Sequence, residues 1–398
     1  MKNLLLYAGL GLALSIVPAV WSASNYPLAE ADQDIPSDDS WSQPDPGDPD
    51  VIPVIYPRVR NLDSELDGYL DSRGYIDLGV GAAPYDVAIY RGTDPKGNLP
   101  GFVSKMYVTD SANNGVLVFD VDLPGVTKPN VNFLVVKGRP SGIAADEIAG
   151  HIYVLEEMGD VDEGTNYSQV GVYDLLWNFQ MHLRPQRVNP GPGGGKIPLQ
   201  GLTGIDVDAS GRVYVTGAQS RGVHVFEPGL FTGSTAEVAT EVWGNGVSDD
   251  YLTYWVDVSV DEDDRIHGVG MVAQVAEPSP KWVGDMGIID RATGMWSTRN
   301  LGSTADDMGV DASFRYPKSG GLEVASAVTN SIHARLYSTD SGGYTIPWAA
   351  LSSPMLDTPI GLESAVFDNY DYVDPEDPVR WVFICSSGNE KVFVFEAP

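Results

Sequence analysis

The chain has 398 residues, 43% of them hydrophobic, with a formal net charge of -31 and a pI near 4.2. That length holds one large domain or two ordinary ones, and that hydrophobic content belongs to a globular protein. A surface this acidic repels phosphate backbones and anionic membranes, which argues against nucleic acid as a partner and for cations or basic proteins; the plainer reading of the same charge is solubility.

The N-terminus reads "MKNLLLYAGLGLALSIVPAVWSAS", one Lys followed by an apolar run, Pro18 and small residues. This pattern predicts a signal peptide over residues 1–23 and export to the periplasm, the cell surface or beyond the cell. Its apolar core is short for a spanning helix and no second hydrophobic stretch follows, so no integral membrane span is expected in the mature chain. Residues 24–50, rich in Asp, Pro and Ser, cannot bury enough apolar surface to offset the entropy of ordering and are expected to be a disordered linker. Residues 51–74 form a lead-in. Cys385 is the single cysteine, so the chain makes no internal disulfide, multi-cysteine zinc site or haem attachment.

From residue 75 onward short alternating strands are broken by Gly, Asp, Asn and Pro, which predicts an all-β fold. "MYVTDSANNGVLVFD" (106–120) sets a phrase of two apolar strands around a polar turn, and "VYVTGAQSRGVHVFE" (213–227) and "VFICSSGNEKVFVFE" (382–396) repeat it at equal length. Looser copies occupy 151–174, 265–290 and 321–339. A short strand precedes each pair: "YDVAIY", "SGIAAD", "TGIDVD", "VDVSVDED", "GVDASF" and "GLESAVFD". Another follows most of them: "NFLVVKG", "KIPLQG", "EVATEVWG", "WSTRNLG" and "GYTIPWAA". Six four-stranded units predict a six-bladed β-propeller over residues 75–398. The last unit lacks its outermost strand, and an orphan strand, "GYIDLGVG" (74–81), precedes the first. This N-terminal strand is expected to close the last blade and leave no unpaired edge.

The phrases at 106–120 and 213–227, together with "RPSGIAAD" and "LTGIDVDASG", resemble the NHL and YVTN classes of β-propeller repeat. The resemblance is clearest in units 1, 2, 3 and 6. It implies the propeller fold and is nearly silent on activity, since such repeats serve scaffolds, ligand-binding modules, surface proteins, lactonases and amidating lyases.

Aligning the leading strands through their apolar positions puts Asp86, Gly142, Gly204 and Asp257 in equivalent places, with Asp311 and Glu363 near that level. Units 1 and 4 face each other across a six-fold ring, so Asp86 and Asp257 are expected to point across a channel mouth. Hard oxygen ligands of this kind suit Ca²⁺. The competing reading is that these residues cap strand ends and turns. Trp255, just before Asp257, is a candidate to stack on a sugar or peptide. The five histidines sit as ordinary strand residues, and Cys385, aligned with Thr109 and Thr216, as a buried small residue. "DVDEGTN" (160–166) alternates oxygen ligands but has Gly where a calcium loop wants its third carboxylate; it and the acidic "DNYDYVDPEDP" (368–378) read as solvated blade loops, and "GPGGGK" (191–196) fails as a phosphate loop.

Two function classes follow. The leading one is an exported binding or scaffold module for a protein or small-molecule ligand, a basic protein fitting the charge. The alternative is a Ca²⁺-dependent lactonase or esterase acting at the channel, although the Asn positions of the gluconolactonase and paraoxonase families have no match here. No catalytic residue is assigned.

Overall fold

In the computed structural model the described residues are 71–99, 101–120, 132–159, 167–188, 195–217, 222–227, 237–239, 241–243, 254–260, 265–274, 281–300, 307–314, 322–328, 333–339, 345–352, 359–367 and 379–397. The expected signal peptide, linker and most of the lead-in lie outside them. Among the described residues no helix is long and apolar enough to cross a membrane.

The chain is all-β. Six antiparallel four-stranded sheets follow one another, led by strands Pro84–Thr93, Arg139–Asp146, Leu202–Val207, Tyr254–Val260, Asp307–Phe314 and Pro359–Phe367. In the first sheet Phe102–Asp110, Gly115–Asp120 and Asn132–Val135 complete the order. The alternation of β-branched and aromatic residues in "MYVTD" and "GVLVFD" suits a pleated surface packed on both faces. Their turn is built by Asp110, whose carboxylate accepts the backbone N–H groups of Ala112 (3.1 Å), Asn113 (3.3 Å) and, from the preceding loop, Ala83 (3.0 Å).

The sixth sheet takes its outermost strand from the other end of the chain. Asp71–Asp77 pairs antiparallel with Lys391–Ala397, in a register running from Asp71↔Glu396 to Asp77↔Lys391. This strand begins before the expected residue 74 and stops at Asp77, because Gly79 and Gly81 adopt φ of 89° and 91° in the turn toward the first sheet. That turn is tied back to the sixth sheet by Leu78 N–H donating to Glu390 O (3.0 Å) and Gly81 N–H to Glu390 Oε1 (2.9 Å).

Two expectations for the outer strands are corrected. "KIPLQG" is not the fourth strand of the second sheet; Phe179–Leu183 is, pairing with Tyr167–Asp174. Lys196–Pro198 instead pairs with Pro185–Val188, which in turn runs parallel to Glu237–Val238. "EVATEVWG" is therefore split: Glu237–Val238 joins this separate three-stranded sheet, and Glu241–Trp243 alone completes the third. Both segments carry the right β-formers, but pairing partner is a tertiary property that residue type does not encode. In the fourth sheet the looser copy at 265–290 is a long hairpin, with pairing continuous from Arg265↔Asp290 to Gln274↔Lys281.

The core lies between successive sheets. Ile76, Val392 and Phe383 of the sixth pack with Val87, Met106 and Phe119 of the first. Tyr90 and Tyr107 of the first pack with Ile143 and Tyr173 of the second. Leu155 and Val172 of the second meet Val213 and Phe226 of the third, and Tyr214 and Val225 of the third meet Trp255 and Ile266 of the fourth. The leading strands touch in the same order, each against the next, with Pro359–Phe367 against Pro84–Thr93.

This packing is tight enough to require glycine. A Cβ on Gly361 would lie 2.4 Å from Tyr85 O and 2.6 Å from Asp86 Cα. Gly361→Ala is expected to destabilise the protein by about 1–3 kcal/mol through overpacking of backbone on backbone, read from the urea midpoint at constant m-value. A change indistinguishable from zero would refute the contact between the sixth and first sheets.

Candidate functional site

The site is set by one irregularity repeated in every sheet. Each leading strand breaks register with its neighbour near its start: at Pro84/Val87, Pro140/Gly142, Leu202/Gly204, Trp255/Asp257, Gly309/Asp311 and Pro359/Gly361. Such a bulge re-aims the residues around it and strengthens the local twist. Thr216 opposes Gly204, and at the matching level Thr109 Oγ1 accepts the Asp86 N–H at 2.8 Å. Asp86, Gly142, Gly204, Asp257 and Asp311 are thus equivalent, with Gly361 as the sixth member. Glu363 sits two residues further on, opposite Phe383, at the level of Asp206 opposite Tyr214.

Two carboxylates in this layer make the same bridge. Asp86 accepts its own neighbour's N–H, from Val87 (2.8 Å), and that of the equivalent residue in the next sheet, Ile143 (2.7 Å). Asp206 accepts from Val207 (2.7 Å) and from its equivalent in the next sheet, Val260 (2.7 Å), with the Ser259 hydroxyl as a further donor. The bulge residues add hydroxyl bridges: Ser141 Oγ donates to Leu202 O (3.0 Å), and Thr203 Oγ1 to Val256 O. Between such bridges the strands approach backbone to backbone, so that a Cβ on Gly204 would lie 2.5 Å from Asp257 Cα.

The carboxylates also feel one another. Burial holds the Asp86 carboxyl well above the ordinary range, and the charges of Asp257 and Asp206 add to the rise, against the two backbone bonds that oppose it. Burial likewise pushes Asp206 up to about 7, with Asp257 adding. Tyr85, beside the first bulge, is raised to about 12 by burial and by Asp86, Glu157 and Asp257, against the pull of Arg139. Burial and the Asp86 charge push the Cys385 thiol up, so it is no thiolate nucleophile near neutrality. A layer of this kind can hold a proton, or a cation, at the level where the sheets converge.

Of the residues singled out in the sequence, Asp86 and Asp257 are brought within electrostatic reach of each other. Asp257 is 6% exposed, and Glu363 is half-buried. The backbone of Asp311 holds its place in the register, but its side chain lies outside the described residues. Among the described residues no three His, Cys, Asp or Glu side chains are disposed to share a metal. Trp255 is 0% exposed and covers Gly268, where a Cβ would lie 1.9 Å from the indole ring, so in this structure its ring is occupied by packing. His224 and His267 are buried strand residues, and the loops at 160–166 and 368–378 lie outside the described residues.

Asp206 was not singled out, although "TGIDVD" held a usable signal: alternation puts residue 206 on the same face as Gly204. The turns explain much of the remaining Asp. Asp94 gathers the N–H groups of Lys96, Asn98 and Leu99. Asp174 gathers those of Leu176 and Asn178 and also the Lys96 ammonium, and Asp208 those of Ser210 and Arg212 with the Tyr214 hydroxyl. Asp does this because its short side chain reaches backbone two to four residues on.

No family model matches the chain, and no curated protein sequence matches it. Among solved structures it is similar to virginiamycin B lyase from Staphylococcus aureus, at 10% identity over 83% of this chain and 99% of that one, with a TM-score of 0.44. It is also similar to Kuenenia stuttgartiensis hydrazine synthase (14% identity, 79% and 77% covered, TM-score 0.46) and to a chain of the mitotic checkpoint complex (13% identity, 85% and 98% covered, TM-score 0.45). At these scores none assigns an activity to this chain.

The two carboxylate populations predict opposite pH responses. Asp206 ionises near 3.9 when unfolded and at about 7 when folded. Its contribution is therefore greatest below the unfolded value and is lost as pH rises toward the folded one. Asp94 and Asp174 stay below the ordinary range despite burial, because backbone N–H donors favour their charged forms. Their contribution is present above the unfolded value and is lost as pH falls through the folded one. Thermal stability should peak in mild acid, and Asp206→Asn should flatten the alkaline side, which in wild type slopes by at most about 1.4 kcal/mol per pH unit for one group. A wild-type profile flat from pH 5 to 8 would overturn the assignment, the window being set by the shift toward about 7.

Proposed function

We propose that the chain is an exported six-bladed β-propeller that acts as a binding or scaffold module outside the cytoplasm. Each four-stranded sheet is a blade, the leading strands line the axis, and Asp71–Asp77 closes the last blade. Support for this architecture is the order in which leading strands touch, returning from the sixth to the first, together with the pairing of the two chain-distant strands. Full closure removes the unpaired edges that a row of sheets would otherwise leave.

The observation that carries the binding reading is the use made of the axial carboxylates. Asp86 and Asp206 are committed to backbone N–H groups of adjacent blades, which makes the layer a clamp on the ring. A rigid ring so held leaves recognition to the loops at its rims. The net charge of -31 includes these architectural acids, and for the acidic excess on the rest of the chain a basic protein is the partner class that fits. The competing lactonase reading would require Ca²⁺ held by Asp86 and Asp257 with Asp311 or Glu363.

Metal content of the purified protein, with its melting temperature in Ca²⁺ and in chelator, separates the two. The binding reading expects no stoichiometric metal and no shift, with specific capture of a basic protein from the native extracytoplasmic fraction. Bound Ca²⁺, a shift abolished by Asp86→Ala or Asp257→Ala, and lactone hydrolysis would replace it with the enzyme. Separately, deleting residues 71–77 should lower the stability of the whole ring cooperatively, whereas deleting residues 24–50 should leave it unchanged. A neutral result for the first deletion would refute closure.

A further inference from the structure

The axial carboxylates are not the only buried acids. Glu156, on the second strand of the second sheet (His151–Met158), is 0% exposed. Glycines make its room: a Cβ on Gly171 would lie 2.9 Å from Glu156 Oε1, and one on Gly138 would lie 3.2 Å from Glu156 Cβ. Gln169 Nε2 donates to Oε2 at 2.6 Å, the Tyr173 hydroxyl to Oε1 at 3.1 Å, and the Lys137 backbone N–H also donates to the carboxylate. The charged and titratable groups acting on Glu156 are Lys137, from the segment before the leading strand, and Tyr173, from the third strand. The Lys137 ammonium lies 5.0 Å from the centre of the Phe179 ring, which packs on His182 of the same fourth strand, and Arg184 follows that strand.

Tyr173 links this buried acid to the neighbouring sheet. Its ring stacks on Trp177 at 4.4 Å and 7°, and Trp177 stacks in turn on Tyr107 of the first sheet at 6.0 Å and 17°. Trp177 sits in the turn before the outer strand with φ of 63°, a left-handed conformation that is strained for so bulky a residue. The turn is held by Trp177 N–H donating to Asp174 O (2.8 Å), and Asp174 receives the Lys96 ammonium of the first sheet. The strained turn thus presses on the ring of Tyr173, the residue whose hydroxyl reaches Glu156.

We propose that Glu156, Gln169 and Tyr173 form a proton-operated latch that controls how firmly the Trp177 turn is held between the first two sheets. With a proton on Glu156 no net charge is buried, and the Tyr173 oxygen lies within reach of the acid O–H while Gln169 donates to the other oxygen. Loss of the proton leaves a buried carboxylate with neutral donors and one exposed lysine for compensation, which is costly in a packed interior. Water reaches that charge most readily when the Trp177 turn lifts and Tyr173 loses its stacking partner. Burial pushes the Glu156 carboxyl up, which places the change above the ordinary glutamate range. By linkage the latched form holds the proton more tightly than the lifted one, so rising pH favours lifting.

The test is amide hydrogen exchange at Trp177 and Asn178, corrected for intrinsic rates, from about pH 4 to about 8, a span starting near the ordinary glutamate value. In wild type, protection should fall through a single transition, by at most about tenfold per pH unit. Glu156→Gln, which keeps a neutral side chain of the same shape, should stay protected throughout. Tyr173→Phe keeps the stack but removes a donor to the charged form, so its transition should move to higher pH. Asp206→Asn should leave the transition in place, separating the latch from the axial layer. A pH-independent wild type, an unchanged transition in Glu156→Gln, or an unmoved one in Tyr173→Phe would each overturn the proposal.

Discussion

The structure depends on a carboxylate shared between two strands that are not partners in any ladder. The leading strands of adjacent sheets run side by side, but their backbones do not pair, and each, as an end strand of its sheet, presents N–H groups on the side that no ladder uses. Asp86 and Asp206 satisfy those groups in pairs, one from each strand. An unsatisfied buried N–H costs about 1–3 kcal/mol, so two such bridges are comparable to a sizeable part of a domain's net stability. The cost of the arrangement is electrostatic. Several acids are brought within reach of one another, where burial and mutual repulsion hold protons on them.

The glycines and the carboxylates of this layer are two answers to one constraint. Where a strand carries Gly at the post-bulge position, as at Gly204 and Gly361, the next strand's Asp257 or Asp86 packs against bare backbone. Where it carries Asp, as at Asp86, the side chain spans the gap and binds the next strand's N–H. Gly142 lies between these cases, facing Thr203 O, and there the neighbouring Ser141 hydroxyl supplies the bridge. Spacing between adjacent leading strands is thus set locally by side-chain length, and the hydrophobic clusters behind each pair of sheets fill to match it.

The repeat was legible because its second and third strands are nearly invariant in pattern. "MYVTD" and "VYVTG" differ little in what they bury, and both carry a Thr one place before their end, at the bulge level, as the bond from Asp86 N–H to Thr109 shows. The outer strands were less legible, since an edge strand buries one face and pairs on one side. "FQMHL" has no clean alternation, and "KIPLQG" looked the better strand while pairing elsewhere. The level of Asp86 and Asp257 could be read from apolar alignment and the face of Asp206 from alternation, whereas the partners of Asp206, and Glu156 altogether, could not be read from spacing. What distinguishes them is which backbone N–H or hydroxyl lies opposite, and that comes from the neighbouring sheet or the facing strand.

The same distinction changes what the acidity means. A net charge of -31 suggests a surface made to meet cations. Yet Asp94, Asp110, Asp174 and Asp208 face inward onto the turns they organise, and Asp86 and Asp206 onto neighbouring strands. Each could be built with few alternatives: Asn would offer one acceptor where two are used, and Glu would overshoot the nearby backbone. A fold made of many tight turns and side-by-side unpaired strands therefore selects Asp repeatedly, with or without a cationic ligand. Any surface specificity must come from the acidic residues that remain after these are set aside. Among the described residues, Glu156 is the buried acid that no turn and no leading strand requires.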